Sequence, residues 1–204
     1  MRHLLTSLLL AACLPAAQGA EEVLIRTGAG DLRVVIETDR APITAANFRA
    51  HLDAHGFEGA TFYRVVRDDN QPQSDVKIGV IQGGLGFDAV SPLADIAHED
   101  TRSTGLRHVD GALSMARGAP GTANSEFFVC VGDQPELDFG GRRNPDGQGF
   151  AVFGRVVAGM DVVRRIQAGT TPVVPAGADQ IVGQMLTSPV PILAVEPVPG
   201  PDEV

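Results

Sequence analysis

Apolar and polar positions alternate in short runs along most of this 204-residue chain, and only two stretches carry helical spacing. Residues 23–26 and 31–37 flank Gly28-Ala29-Gly30, a turn able to adopt positive φ, so they predict an antiparallel hairpin. Ile43, Phe48 and Leu52 recur on one side of a helix over 42–52, with Pro42 suited to its first turn and Gly56 to its end. Further strands are predicted at 60–66, 78–82, 112–115, 127–131 and 150–156, a second short helix at 161–166 and a last strand at 191–195. Many short strands between glycine- and proline-rich connections favour a barrel or a sandwich. Strict alternation around Arg64 would place Phe62, Arg64 and Val66 on one face and Tyr63 and Val65 on the other. A guanidinium on a largely apolar strand cannot shed its charge, so protein or ligand must supply it with acceptors.

With 44% hydrophobic residues and no long polar tract, the chain fits one domain with a sizeable core, over 21–196. The start has another character. Arg2 and His3 lead into a leucine-rich run that ends in small residues before Glu21-Glu22, which reads as an export signal over 1–20 and predicts a periplasmic or secreted protein. Its apolar run is too short to span a bilayer stably, and no other stretch is a transmembrane candidate. Leu10-Ala11-Ala12-Cys13 leaves an alternative open, a lipoprotein anchored through Cys13. Cys130, the only other cysteine, lies in an apolar run and reads as a buried structural thiol. A formal charge of −9 with scattered basic residues argues against nucleic acid as a partner. The segment 197–204, rich in proline and acidic residues, reads as a flexible tail, and a monomer is the default expectation.

Five ordered motifs carry more information than any one alone. They are Phe62-Tyr63-Arg64-Val65, then Ile81-Gln82-Gly83-Gly84, the run 111–117 ending in Met115-Ala116-Arg117, Asn124-Ser125-Glu126-Phe127-Phe128, and the run 153–163. In this order they resemble the cyclophilins, over roughly residues 23–168. The resemblance implies an all-β-dominated fold, an eight-stranded antiparallel barrel capped by two α-helices. It also implies an enzyme, a peptidyl-prolyl cis-trans isomerase acting on proline-containing polypeptides during the folding of exported proteins, without cofactor or metal. By motif position it assigns catalysis to Arg64 and Gln82. Substrate binding falls to Val80, Ala116, Arg117, Glu126, Phe128, Leu137 and Phe150; periodicity alone would place Phe128 and Phe150 in the core.

Several positions depart from the family pattern. An aromatic residue three before the pocket glutamine is replaced by Gly79, with Ile78 or Phe87 as candidate substitutes. Glu126 stands where the family carries glutamine; its carboxylate keeps an acceptor and offers an ion pair to Arg64. Glu136 replaces an aromatic residue, which should weaken recognition of cyclosporin-type cyclic peptides. The connection 67–77 is long and polar, either overhanging the site or a tolerated surface insertion. These departures support a second reading, a weakly active or inactive module of the same fold that binds proline-containing segments. Other constellations are weaker. His51 with His55 reads as a polar helix end rather than a metal pair, His98-Glu99-Asp100 with His108 lacks a ligand pattern, and Ser114 and Ser125 lack a nucleophile elbow or an evident triad.

Overall fold

A computed structural model describes residues 20–54, 57–72, 74–173 and 181–199. The expected export signal up to residue 19, Cys13, His55, Gly56 and the tail beyond residue 199 lie outside the described residues. Eight strands, β1 (Glu21–Thr27), β2 (Gly30–Ile36), β3 (Thr61–Val66), β4 (Val80–Gly84), β5 (Ala112–Met115), β6 (Phe127–Cys130), β7 (Ala151–Ala158) and β8 (Met185–Pro197), close an antiparallel barrel in the order β1-β2-β7-β5-β6-β4-β3-β8. The helices are α1 (Pro42–Asp53), a single turn α2 (Thr101–Thr104) that the spacing did not predict, and α3 (Met160–Gln167).

Closure depends on β8, which is much longer than the expected 191–195. Its first half pairs with β3, as in Phe62↔Val190, and its second with β1, as in Ile25↔Val195. No sheet edge is then left to template aggregation. Pro197 belongs to this strand and the Val198 amide donates to Glu22 O at 2.8 Å, so the chain leaves the barrel later than the sequence suggested.

The interior is aromatic. Phe48 of α1 meets Phe127 edge-on at 5.9 Å and Phe153 at 5.3 Å, and Phe62 meets Phe127 at 5.7 Å. His51 corrects the sequence reading: it is fully buried beside Phe57, with neither ring nitrogen in hydrogen-bond geometry to a partner. Burial pushes its imidazole below the usual histidine range, and Asn124 offsets part of this. A base whose folded pKa lies below its unfolded value, about 6.5, loses stability as pH falls through that value, because the unfolded chain takes up the proton first. Urea midpoints should therefore drop between pH 7.5 and 5.5, and His51→Leu should remove about 1 kcal/mol of that drop. An unchanged pH dependence in the variant would assign the loss elsewhere, first to His108, whose ring is also buried and shifted the same way.

Candidate active site

The regular alternation expected in β3 is broken. Phe62 opposes Gly83 and Arg64 opposes Gln82, so Tyr63 is the extra residue of a bulge. Phe62 and Val65 point into the core, while Tyr63 and Arg64 turn to the same side and meet around Gln82, contrary to the faces read from period two. The bulge aims the guanidinium at a cavity of about 610 Å³ beside β4, β5 and β6. Arg64, Gln82, Val80, Ala116, Arg117, Glu126, Phe128, Leu137 and Phe150, scattered over 87 positions of sequence, all line this one cavity.

Arg64 is held by neutral oxygens. Its Nη1 donates to Gln82 Oε1 at 2.7 Å, and its Nε and Nη2 donate to Gln184 Oε1 at 3.0 and 2.6 Å. Three of the five guanidinium N–H donors are so used, which leaves two for the cavity. Burial, and then the charge of Arg143, lower its pKa to about 10, so it stays cationic at neutral pH. Gln184, 1% exposed in the turn before β8, went unnoticed in the sequence, where nothing marks one glutamine near residue 185 as a partner of residue 64. Replacing it by leucine should leave one face of the guanidinium without an acceptor. We expect kcat to fall about tenfold with a smaller change in KM; equal losses in both would mean that Gln184 acts on binding instead.

The expected Arg64–Glu126 ion pair does not form. Glu126 accepts from the Tyr63 hydroxyl and, at 2.9 Å, from the Gly86 amide, while Tyr63 Oη accepts from Gln82 Nε2 at 2.8 Å. The resulting circuit, carboxylate to phenol to amide to guanidinium, fixes which end of the Gln82 amide faces Arg64. Burial, with Glu126 adding to it, raises the Tyr63 pKa and keeps the phenol protonated as the donor. Gly84, at φ +144°, makes this possible, since a Cβ there would lie 2.4 Å from Glu126 Oε1. Tyr63→Phe removes one donor and one acceptor together and is expected to cost about 2 kcal/mol of stability, read from urea unfolding.

The apolar wall is formed by Val80, Phe128, Leu137 and Phe150, with Phe128 and Phe150 edge-on at 5.4 Å. Ile78, buried, joins them in lining the cavity. Gly79 could not have served, because a Cβ there would meet Val131 O at 2.7 Å and point toward Gln134 and Gln167. Phe87, half exposed, sits edge-on to Tyr63 at 5.2 Å and lines the cavity too. The side chain of Arg117 turns to Asp146 at 2.8 Å and Gly149 O at 2.9 Å and fastens the segment before β7, leaving backbone at 116–118 beside the cavity.

Behind the wall lies an array that the sequence reading did not recognise. Asp138 Oδ1 accepts from His108 Nδ1 at 2.8 Å, and His108 Nε2 lies 3.0 Å from Ser114 Oγ. Burial depresses the His108 pKa against the opposing pull of Asp138, so the ring is neutral. With Nδ1–H donating to the carboxylate, Nε2 accepts from the Ser114 hydroxyl. These are the contacts of a hydrolytic triad, yet Ser114 is wholly buried and no member lines the cavity. The imidazole instead stacks on Phe128 at 5.9 Å and 12°, and holds that ring in place. Glu99 and Asp100 serve helix starts: Glu99 accepts from the Thr44 amide at 2.7 Å, and Asp100 from the Ser103 amide at 2.8 Å. Among the described residues no group of three His, Cys, Asp or Glu is arranged to hold a metal.

The family profile described as cyclophilin type peptidyl-prolyl cis-trans isomerase/CLD matches residues 22–192. The chain is a cyclophilin-type peptidyl-prolyl isomerase. Peptidyl-prolyl cis-trans isomerase A of Dickeya dadantii is 32% identical over 152 residues, 74% of this chain and 73% of that protein. A Streptomyces antibioticus peptidyl-prolyl cis-trans isomerase is 35% identical over 154 residues, 73% and 84% of the two chains. The crystal structure of a Cryptosporidium parvum cyclophilin type isomerase superposes with a TM-score of 0.69 at 19% identity, covering 89% of this chain and 99% of that one. The same protein has been crystallised in the presence of the dipeptide alanyl-proline. The cyclophilin barrel expected from the motifs is thus the fold observed. None of the described residues of the long connection 67–77 lines the cyclophilin cavity, and Gln71 folds the segment back on itself through Arg67 O and Ile78 O.

Proposed function

We propose that this isomerase works through Arg64 on exported proteins that carry Xaa-Pro bonds. Amide resonance sets a barrier of about 18–20 kcal/mol, and uncatalysed exchange takes tens of seconds or more, slow enough to limit folding. In the twisted transition state the imide nitrogen becomes pyramidal and regains its lone pair, which a fixed donor stabilises more than it does the planar ground state. Arg64 meets that need, with two N–H groups left over and a position anchored on both sides by Gln82 and Gln184. The proline ring seats against Val80, Phe128, Leu137 and Phe150, and the substrate chain lies along 116–118. The observation that carries the reading is a cavity-lining guanidinium with two N–H groups unused, beside an apolar wall and with Glu126 engaged elsewhere. That arrangement favours turnover over a binding module in which a closed Arg64–Glu126 pair sequesters the cation.

Exchange spectroscopy on a short Xaa-Pro peptide with the purified chain tests it. Cross-peaks between cis and trans signals should appear within a fraction of a second; exchange at the uncatalysed rate would leave only peptide binding.

Export is supported by the sequence of residues 1–20; the thiol of Cys130 is compatible with an oxidising compartment, since it is fully buried and burial raises its pKa well above the usual range. Cell fractionation with mass analysis of the mature N-terminus decides it. A start at residue 21 or nearby supports ordinary cleavage, an acylated Cys13 supports the anchored alternative, and an intact Met1 in the cytoplasm overturns both.

A further inference from the structure

Of the fourteen arginines among the described residues, eleven form ion pairs with carboxylates. The remaining three are Arg40, which reaches Thr104 O on the surface, and Arg64 and Arg143, which line the same cavity. Arg143 lies in the segment before β7. Its Nη1 donates to Gln71 Oε1 at 3.1 Å, Ser74 Oγ at 2.7 Å and Val76 O at 2.7 Å, all neutral acceptors. Among the described residues its Nε and Nη2 have no acceptor. Lys77 adds a third cation nearby through Gln71 O, and Asp75 of the same segment is exposed and unpaired with either.

Two cations side by side repel, and Arg143 depresses the Arg64 pKa for this reason. Burial alone acts on Arg143, with no carboxylate to offset it. An arrangement that leaves two half-buried guanidiniums uncompensated, in a chain of formal charge −9, is completed by an anion from outside. Its position is also defined. Arg143 binds the residues leading into β4, whereas Glu126 sits against Gly84 at the far end of that strand, so Arg143 and Glu126 reach the cavity from opposite ends of β4. Val80, Leu137 and Arg143 line one cavity, so a peptide with its proline against the first two would carry the residue beside that proline toward Arg143.

We propose that Arg143 selects substrates bearing an aspartate or glutamate side chain immediately before or after the isomerising proline. The proposal rests on the isomerase reading above and adds a substrate class to it.

The test compares blocked tetrapeptides, acetyl-Ala-Xaa-Pro-Ala-amide and acetyl-Ala-Ala-Pro-Xaa-amide, with glutamate, glutamine or lysine as Xaa. Blocking both termini confines the negative charge to the side chain. In one of the two orders kcat/KM for glutamate should exceed that for glutamine by about three- to tenfold, the scale of one partly exposed ion pair, with lysine below both. High salt should compress the spread. Arg143→Glu should invert the order, and Arg143→Lys should keep its sign, a pattern that a loop-fastening role would not produce. Equal rates for the three side chains in both orders, or an order unchanged in Arg143→Glu, would overturn the proposal while leaving the isomerase intact. If the glutamine peptides themselves are not accelerated, the isomerase reading fails and the proposal falls with it.

Discussion

Arg64→Ala is expected to lower kcat/KM for an uncharged Xaa-Pro peptide by about 10²–10³-fold, the cost of one preorganised donor at a site of developing charge. The loss should fall mainly on kcat. The apolar wall proposed to seat proline is separate from the guanidinium, so ground-state binding should survive while the twisted state loses its donor. Removal of the side chain also frees Gln82 Oε1, in a residue that lines a cavity water can enter, and Gln184 Oε1, which water reaches through the space the side chain vacates. Stability should therefore change by only about 1 kcal/mol. Exchange spectroscopy for rate and peptide titration for affinity separate the two effects. A variant that binds tenfold more weakly yet turns over normally would make Arg64 a binding residue and move the catalytic role to another donor.

Asp138→Ala should produce the largest loss of stability, about 3–5 kcal/mol by urea unfolding. Asp138 accepts from the His108 amide at 3.1 Å and from its ring at 2.8 Å, and Arg107 reaches it at 3.3 Å. Burial would raise its carboxyl, but the hydrogen bonds from His108 and then Arg107 hold it below the usual aspartate range. Without the carboxylate, two buried donors on His108 lose their acceptor and the imidazole loses what fixes its tautomer. Phe128 rests on that ring, so the proline wall loosens and KM should rise together with the loss of stability. Asp138→Asn retains an acceptor and should recover part of both. If Asp138→Ala unfolded at the parental urea midpoint, the buried array would not be a source of stability.

Much of the barrel was legible because strand chemistry is local. Alternating apolar residues and glycine turns located β1, β2, β5 and β7 to within a few residues, and Pro42 marked the start of α1. Where prediction failed, a distant partner decided. Residues 185–190 carry a proline, Pro189, and little alternation, yet they form half of β8 because β3 offers a free edge there. His51 looked like a polar helix end because its four-residue spacing to His55 says nothing of Phe57 folding over it.

The sequence by itself determined the family, the barrel class and the nine residues that meet at the cavity, since ordered motifs preserve which residue types the chemistry requires. Tertiary structure alone decided their relations. A one-residue bulge in β3 put Tyr63 beside Arg64, Gln184 arrived from 120 positions away, Glu126 turned to the phenol rather than to the cation, and Arg143 came to stand beside Arg64. The physical reason is that a side chain's identity is written locally, whereas its hydrogen-bond partner is whichever group the closed barrel brings within about 3 Å.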